Sequence, residues 1–176
     1  MAISTEDRGI ISSWRKTGVI TEVDGQKLIN VSPHGVIIVM CGDADRALEM
    51  LDFLKLKINT RRFHLRAEDG GPLRYHPSVP IPPKLRMDKQ LLAGLHGSRG
   101  LKKIPTLILM AHWPCGMAAQ IKLGIRDTVW YTIQLVQILS DLGWDKKRII
   151  PMLHVDYSTR MRTYFIEAKS PGQIYQ

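Results

Sequence analysis

Residues 36–46 read VIIVMCGDADR. Four of the first five residues are β-branched, and no polar residue alternates with them. Such a run suits a strand buried on both faces, as in a parallel sheet covered by helices. It ends at Cys41. A second run, TLILMA at 106–111, has the same character and ends at His112, with Cys115 three positions later. These two stretches decide the fold, because a chain holding two doubly buried strands needs helical layers to cover them.

The intervening sequence supplies those helices. From Asp45, the spacing of Leu48, Leu51, Phe53, Leu54 and Ile58 predicts a helix to about Lys57. RRFHLR at 61–66 reads as a short strand that breaks at Glu68-Asp69-Gly70-Gly71. Five prolines between Pro72 and Pro83 make that stretch a loop. Leu85, Leu91, Leu92 and Leu95 mark a helix ending near Gly97-Ser98. Beyond Gly116, the residues Val129, Ile133, Val136 and Leu139 give an apolar helical face closed by Gly143. RIIPMLHV is a further strand, which Pro151 weakens or places at an edge. MRTYFIEA is a last strand, reached by a turn through Ser158-Thr159. Near the start, Asp24-Gly25 lies between two short alternating runs and suggests a hairpin. Strands alternating with helices predict a single α/β domain with a mainly parallel central sheet flanked by helices. We expect one domain over 1–176, with a core over 34–166 and residues 1–34 as an N-terminal extension or arm.

Composition narrows the partners. Hydrophobic residues are 44% and charged residues 23% of 176, an ordinary globular balance. No apolar run approaches the ~20 residues of a membrane span, and the opening MAISTEDRGIISSW has no secretory pattern. A cytoplasmic location without membrane association is the expectation. The net charge of +9 raises nucleic acid as a partner. However, the basic residues are scattered and aromatics are only 7%, so a solvated basic surface is the better reading. Two cysteines in such a chain suggest thiol or metal chemistry more than a disulfide.

In open α/β sheets, sites form at the carboxyl ends of strands. Cys41, His112 and Cys115 all fall there, with Asp43 two residues after the first cysteine. Two thiolates and an imidazole suit Zn²⁺, and three protein ligands leave a fourth tetrahedral position for water. Zinc lowers the pKa of such a water to roughly 7. A nearby carboxylate can accept its hydrogen bond or ligate the metal. The alternative is two buried core thiols and a hydrogen-bonded histidine.

The surrounding motifs resemble those of the β-class carbonic anhydrases. VIIVMCGDADR is similar to the family's C-x-D-x-R segment after a core strand, and LILMAHWPCGMA to its later H-x-x-C segment. FHLRAEDGG at 63–71 and LHVDYSTRMRTYFIEA at the end also look like family stretches. The resemblance covers about residues 34–166. It implies Zn²⁺ on Cys41, His112 and Cys115, and reversible hydration of carbon dioxide to bicarbonate by a zinc-bound hydroxide. It also implies Asp43 and Arg46 as catalytic residues, Asp43 as a switchable fourth ligand, and a homodimer or higher assembly. Arg66 would steer an anion or hold a partner loop.

Two departures stand out. The family arginine follows the aspartate by two residues, but position 45 is Asp and the arginine comes at Arg46. One residue on a helix rotates a side chain by about 100°, which turns Arg46 away from Asp43 unless a bulged turn restores the pair. Glu68 and Asp69 also put negative charge near a site that handles bicarbonate. Two alternatives follow. One is hydrolysis of carbonyl sulfide or carbon disulfide on the same site. The other is a catalytically silent zinc protein acting through its basic surface. His64 and His154 read as core or edge histidines, and His76 and His96 as exposed loop histidines able to shuttle protons. Trp113 is expected on a site wall or a subunit interface.

Overall fold

The computed structural model describes residues 2–43, 46–58 and 60–176. Among these, six strands form one sheet: β1 (Ile20–Glu22), β2 (Val36–Met40), β3 (Phe63–Ala67), β4 (Leu107–Trp113), β5 (Ile149–Asp156) and β6 (Met161–Ile166). Their order is β1-β6-β5-β4-β2-β3. The β3-β2-β4-β5 block is parallel, while β6 and β1 add antiparallel strands. The predicted mainly parallel sheet is therefore present.

Its strands are buried for the reason the sequence suggests. Val36, Ile38 and Met40 pack with Ile108 and Met110 beneath α2 (Gly25–Val31) and α3 (Ala47–Lys57), through Leu28, Met50 and Leu54. Ile37, Val39, Leu107 and Leu109 face the opposite layer. That layer is α4 (Asp88–Lys102) and α6 (Ile125–Asp141), contributing Leu91, Leu95, Leu135, Val136 and Leu139. Period-two alternation thus sends successive apolar residues to different helical layers. α1 (Thr5–Thr17) buries Ile11 and Trp14, and Trp14 Nε1 donates to the Ile174 carbonyl at 3.2 Å beside α7 (Pro171–Tyr175). The short α5 (Gly116–Gln120) follows Cys115.

Several local expectations change. Asp24-Gly25 opens α2 instead of a hairpin: the Asp24 carboxylate accepts from Gln26 N at 2.8 Å, capping the first turn. Within α3 the buried residues are Met50 and Leu54, whereas Leu48 is 71% exposed. The expected start at Asp45 lies outside the described residues. α4 begins after Leu85 and runs through Gly97-Ser98 to Lys102. Ser98 is held there by its hydroxyl, which donates to the Gly94 carbonyl at 2.9 Å and contacts His64 Nε2 at 3.0 Å. The loop from Pro72 contains 3-10 turns at Gly71–Tyr75 and Pro83–Leu85. Pro151 lies in an internal strand, not an edge one. Its neighbour β6 begins pairing only at Met152, so at Pro151 the strand pairs with β4 alone. Among the described residues, no helix is long and apolar enough to cross a membrane.

Candidate metal centre

Two chain segments converge at the carboxyl ends of β2 and β4. β2 ends at Met40, and Cys41 follows immediately. The loop after β3 then crosses close over it. Gly71 sits at φ +52°, where a Cβ would lie 2.7 Å from Cys41 N and 2.8 Å from Met40 C. Both obstacles are backbone, so only glycine permits this approach. The neighbouring Gly70 N–H donates to Cys41 Sγ at 3.1 Å. β4 runs on to Trp113, so His112 belongs to the strand itself. A cis Trp113–Pro114 bond leads to Cys115.

The result is a compact donor set. The ligand atoms of Cys41, His112 and Cys115 all lie within 4.8 Å of one another, and all three residues are buried. Both ring nitrogens of His112 are buried without a hydrogen-bond partner. An orphaned imidazole facing two thiols is costly unless something accepts its lone pair. A cation does so, and an S₂N set is among those that hold Zn²⁺. The thiols also divide their protons unequally. Hydrogen bonding with Cys41, helped by the Met117 and Ala118 N–H groups and opposed by burial, brings Cys115 down to about 7. Hydrogen bonding with Cys115, reinforced by burial, pushes Cys41 up to about 12. The pair therefore releases one proton readily and the second reluctantly, and a bound cation would take both sulfurs as thiolates.

Arg46 does reach Asp43. Its Nη1 lies 3.3 Å from Asp43 Oδ2. The Asp43 carbonyl accepts from Arg46 N at 3.2 Å and Ala47 N at 2.9 Å. The partners stand three residues apart, a spacing at which side chains meet more readily than at two. The single-residue delay therefore keeps the ion pair. Arg46 also makes a shorter contact missed in the sequence: Nη2 to Asp156 Oδ2 at 2.7 Å, at the end of β5. Its signal was available, since Asp156 ends a parallel strand as Cys41 does. Burial works to raise the Asp156 pKa, but the Ser158 N–H at 2.6 Å and Arg46 outweigh it and hold it low.

A cavity of about 390 Å³ opens beside Cys41, lined by Asp43, Glu68, Asp69, Arg74, Leu85 and Met117 among others. The two acids of the loop thus face the site, and Arg74 joins them unforeseen. Arg66 is not in this lining. It packs across β3 against α4 at Gly94, the glycine that leaves room for its guanidinium. His154 pairs in register with His112 and is a satisfied core residue, with Nδ1 2.8 Å from Thr163 Oγ1. His76 is 3% exposed, not a solvent-facing residue. It lies edge-on to Tyr131 and lines a cavity of about 810 Å³ between α6 and Pro151, away from the cysteines. His96 stands beside Trp144. Trp113 is buried in the cluster that includes both cysteines.

Fold and site together define a single α/β unit with a candidate Cys₂His metal centre at strand ends. No family model matches the chain, and no curated relative matches it. Among solved structures it is similar to a carbonic anhydrase from Streptococcus mutans, at 14% identity over 93% of this chain and 99% of that one, with a TM-score of 0.46. It is also similar to a β-carbonic anhydrase of Aspergillus fumigatus, at 10% identity over 97% and 92% with a TM-score of 0.47. A carbon disulfide hydrolase aligns at 13% identity over 89% and 86%, with a TM-score of 0.44.

Proposed function

We propose that the chain is a zinc-dependent enzyme interconverting carbon dioxide and bicarbonate. One observation carries the reading. Cys41, His112 and Cys115, the residues that the C-x-D and H-x-x-C motifs single out, converge within 4.8 Å, with both nitrogens of a buried histidine unsatisfied. Cys41, His112 and Cys115 would hold the metal, and Asp43 would be the switchable fourth group. Zinc in that cradle supplies Lewis acidity, enough to ionise water near neutral pH.

The chain's own residues do the rest. Gly70 fixes the Cys41 sulfur through its N–H, and Gly71 keeps the loop close enough for that bond. Asp43 lines the cavity and presents a carboxylate able to accept a proton-bearing hydrogen bond. Arg46 holds that carboxylate in place and is itself anchored by Asp156. Leu85 and Met117 give the cavity an apolar wall suited to a small neutral substrate. A homodimer belongs to the same proposal, and sedimentation as a 20.0 kDa monomer would count against it.

The test combines metal content with rate. Near one zinc per chain is expected, lost in Cys41→Ser and Cys115→Ser, with stopped-flow carbon dioxide hydration that disappears alongside it. A wild-type rate no higher than that of Cys41→Ala would remove the enzymatic reading. Turnover of carbonyl sulfide but not carbon dioxide would reassign the substrate.

A further inference from the structure

We propose that Arg74 is a specificity-determining residue that receives the anionic form of the substrate, a bicarbonate-sized oxyanion, in the cavity beside Cys41. The proposal rests on the carbon dioxide–bicarbonate reading above, but its geometry is independent of the metal ligands. Arg74 lies in the 3-10 turn Gly71–Tyr75, directly after the glycines that cross Cys41. Its stem passes against Gly70, with Cγ 3.6 Å from where a Cβ on that glycine would stand. Gly70 in turn holds the Cys41 sulfur. The side chain is therefore fixed one residue away from the candidate centre.

Its guanidinium has no partner among the described residues. Nε is buried without a hydrogen bond, and Arg74 makes no hydrogen bond or ion pair among the described residues. By contrast, Arg46 is committed to two carboxylates. Arg74 is the one cationic side chain among the described residues that line this cavity. A planar fork of donors matches two oxygens of a flat oxyanion, which an ammonium does not.

The other charges give this cation its role. Asp43, Glu68 and Asp69 line the same cavity. Three carboxylates repel an approaching anion and are indifferent to a neutral linear molecule. Without Arg74, the cavity would admit carbon dioxide and reject bicarbonate. With it, one direction-specific contact offsets the acids, so residence of the anion depends on this residue.

The experiment titrates sodium bicarbonate into ¹⁵N-labelled, zinc-loaded protein at constant ionic strength. Proton–nitrogen spectra follow the Arg74 Nε–H and Gly70 amide signals. Saturable shifts are expected at both. Arg74→Gln should raise the dissociation constant roughly tenfold, the loss expected for one charge-assisted contact. Arg74→Lys should raise it less, because the charge remains. Glu68→Gln with Asp69→Asn should lower it. Equal affinity in wild type and a well-dispersed Arg74→Gln spectrum overturns the proposal, as does an unresponsive Arg74 Nε–H. If bicarbonate binds through Arg74 but no carbon dioxide is hydrated, the enzymatic reading fails and the oxyanion site at Arg74 stands without it. Hydration with an Arg74-independent bicarbonate affinity gives the reverse.

Discussion

Arg46→Leu should expose how much the ion-pair network at the strand ends contributes to folding. Arg46 is 7% exposed and bridges Asp43 on the β2 side to Asp156 on the β5 side. Removing it leaves Asp156, itself 9% exposed, with its Ser158 N–H bond and no counter-charge. Breaking a buried pair from one side costs about 3–5 kcal/mol. An independent ceiling comes from protonation. Neutralising one aspartate at pH 7.5 from an unfolded value near 3.9 costs about 4.9 kcal/mol, at 1.36 per pH unit. The variant can always escape by taking up that proton, so roughly 4 kcal/mol is expected. For a chain of this length, that lowers the melting temperature by on the order of 10 °C.

The pH dependence has a definite sign. In the wild type the Asp156 pKa is held low in the folded state, so its contribution is present above the unfolded value and lost as pH falls through the folded one. In Arg46→Leu the same carboxylate is raised in the folded state. Its penalty is therefore largest at high pH and fades as pH falls towards ~4. Urea unfolding of both proteins at pH 7.5 and 4.5 measures the gap, which should shrink markedly at the lower pH. Adding Asp156→Asn to Arg46→Leu should recover part of the loss, because the amide keeps the acceptor for Ser158 without the charge. A gap below 1 kcal/mol at pH 7.5, or one that does not change with pH, would refute the reasoning.

Three further outcomes follow from the same geometry. Gly71→Ala should destabilise by about 2–3 kcal/mol and weaken metal retention, because its Cβ would press on the backbone at Cys41; melting and zinc content report both. Chelation should lower the melting temperature of the wild type and leave Cys41→Ser unmoved, since only a ligand held by the folded state shifts that equilibrium. His76 and His154 are both lowered to about 4 by burial, so they stay neutral while the unfolded chain gains protons below ~6.5. Stability should fall between pH 6.5 and 4 with a slope of up to about 2.7 kcal/mol per unit, and His76→Gln should remove about half of it.

Much of the fold was legible because burial on both faces leaves a mark in sequence. VIIVM and LILMA have no polar positions to alternate, which suits a strand covered on both faces, and the helical spacings between them favour a parallel sheet. The first 35 residues were harder. Asp24-Gly25 serves equally as a turn between strands and as the cap of a helix, and only the packing of Leu28 under β2 selects the helix. Pro151 looked like an edge signal because sequence does not show where a neighbouring strand begins to pair. Leu48 counted as an apolar position by spacing, yet it is exposed, while Met50, which the spacing passed over, is buried beside the expected Leu54.

Strand-end positions made Cys41, His112 and Cys115 candidate ligands in the sequence but left buried core thiols and a hydrogen-bonded histidine as the alternative, and the resemblance of the surrounding motifs is what singled them out as a set. What only the tertiary structure decided is the set of charges around them. Asp156 reaches Arg46 across 110 residues of chain, and Arg74 stands unpaired beside Gly70. Residue types and local spacing fix which side chains sit at strand ends. Whether a charge there is paired or open depends on which strand ends become neighbours, and that is set by sheet order.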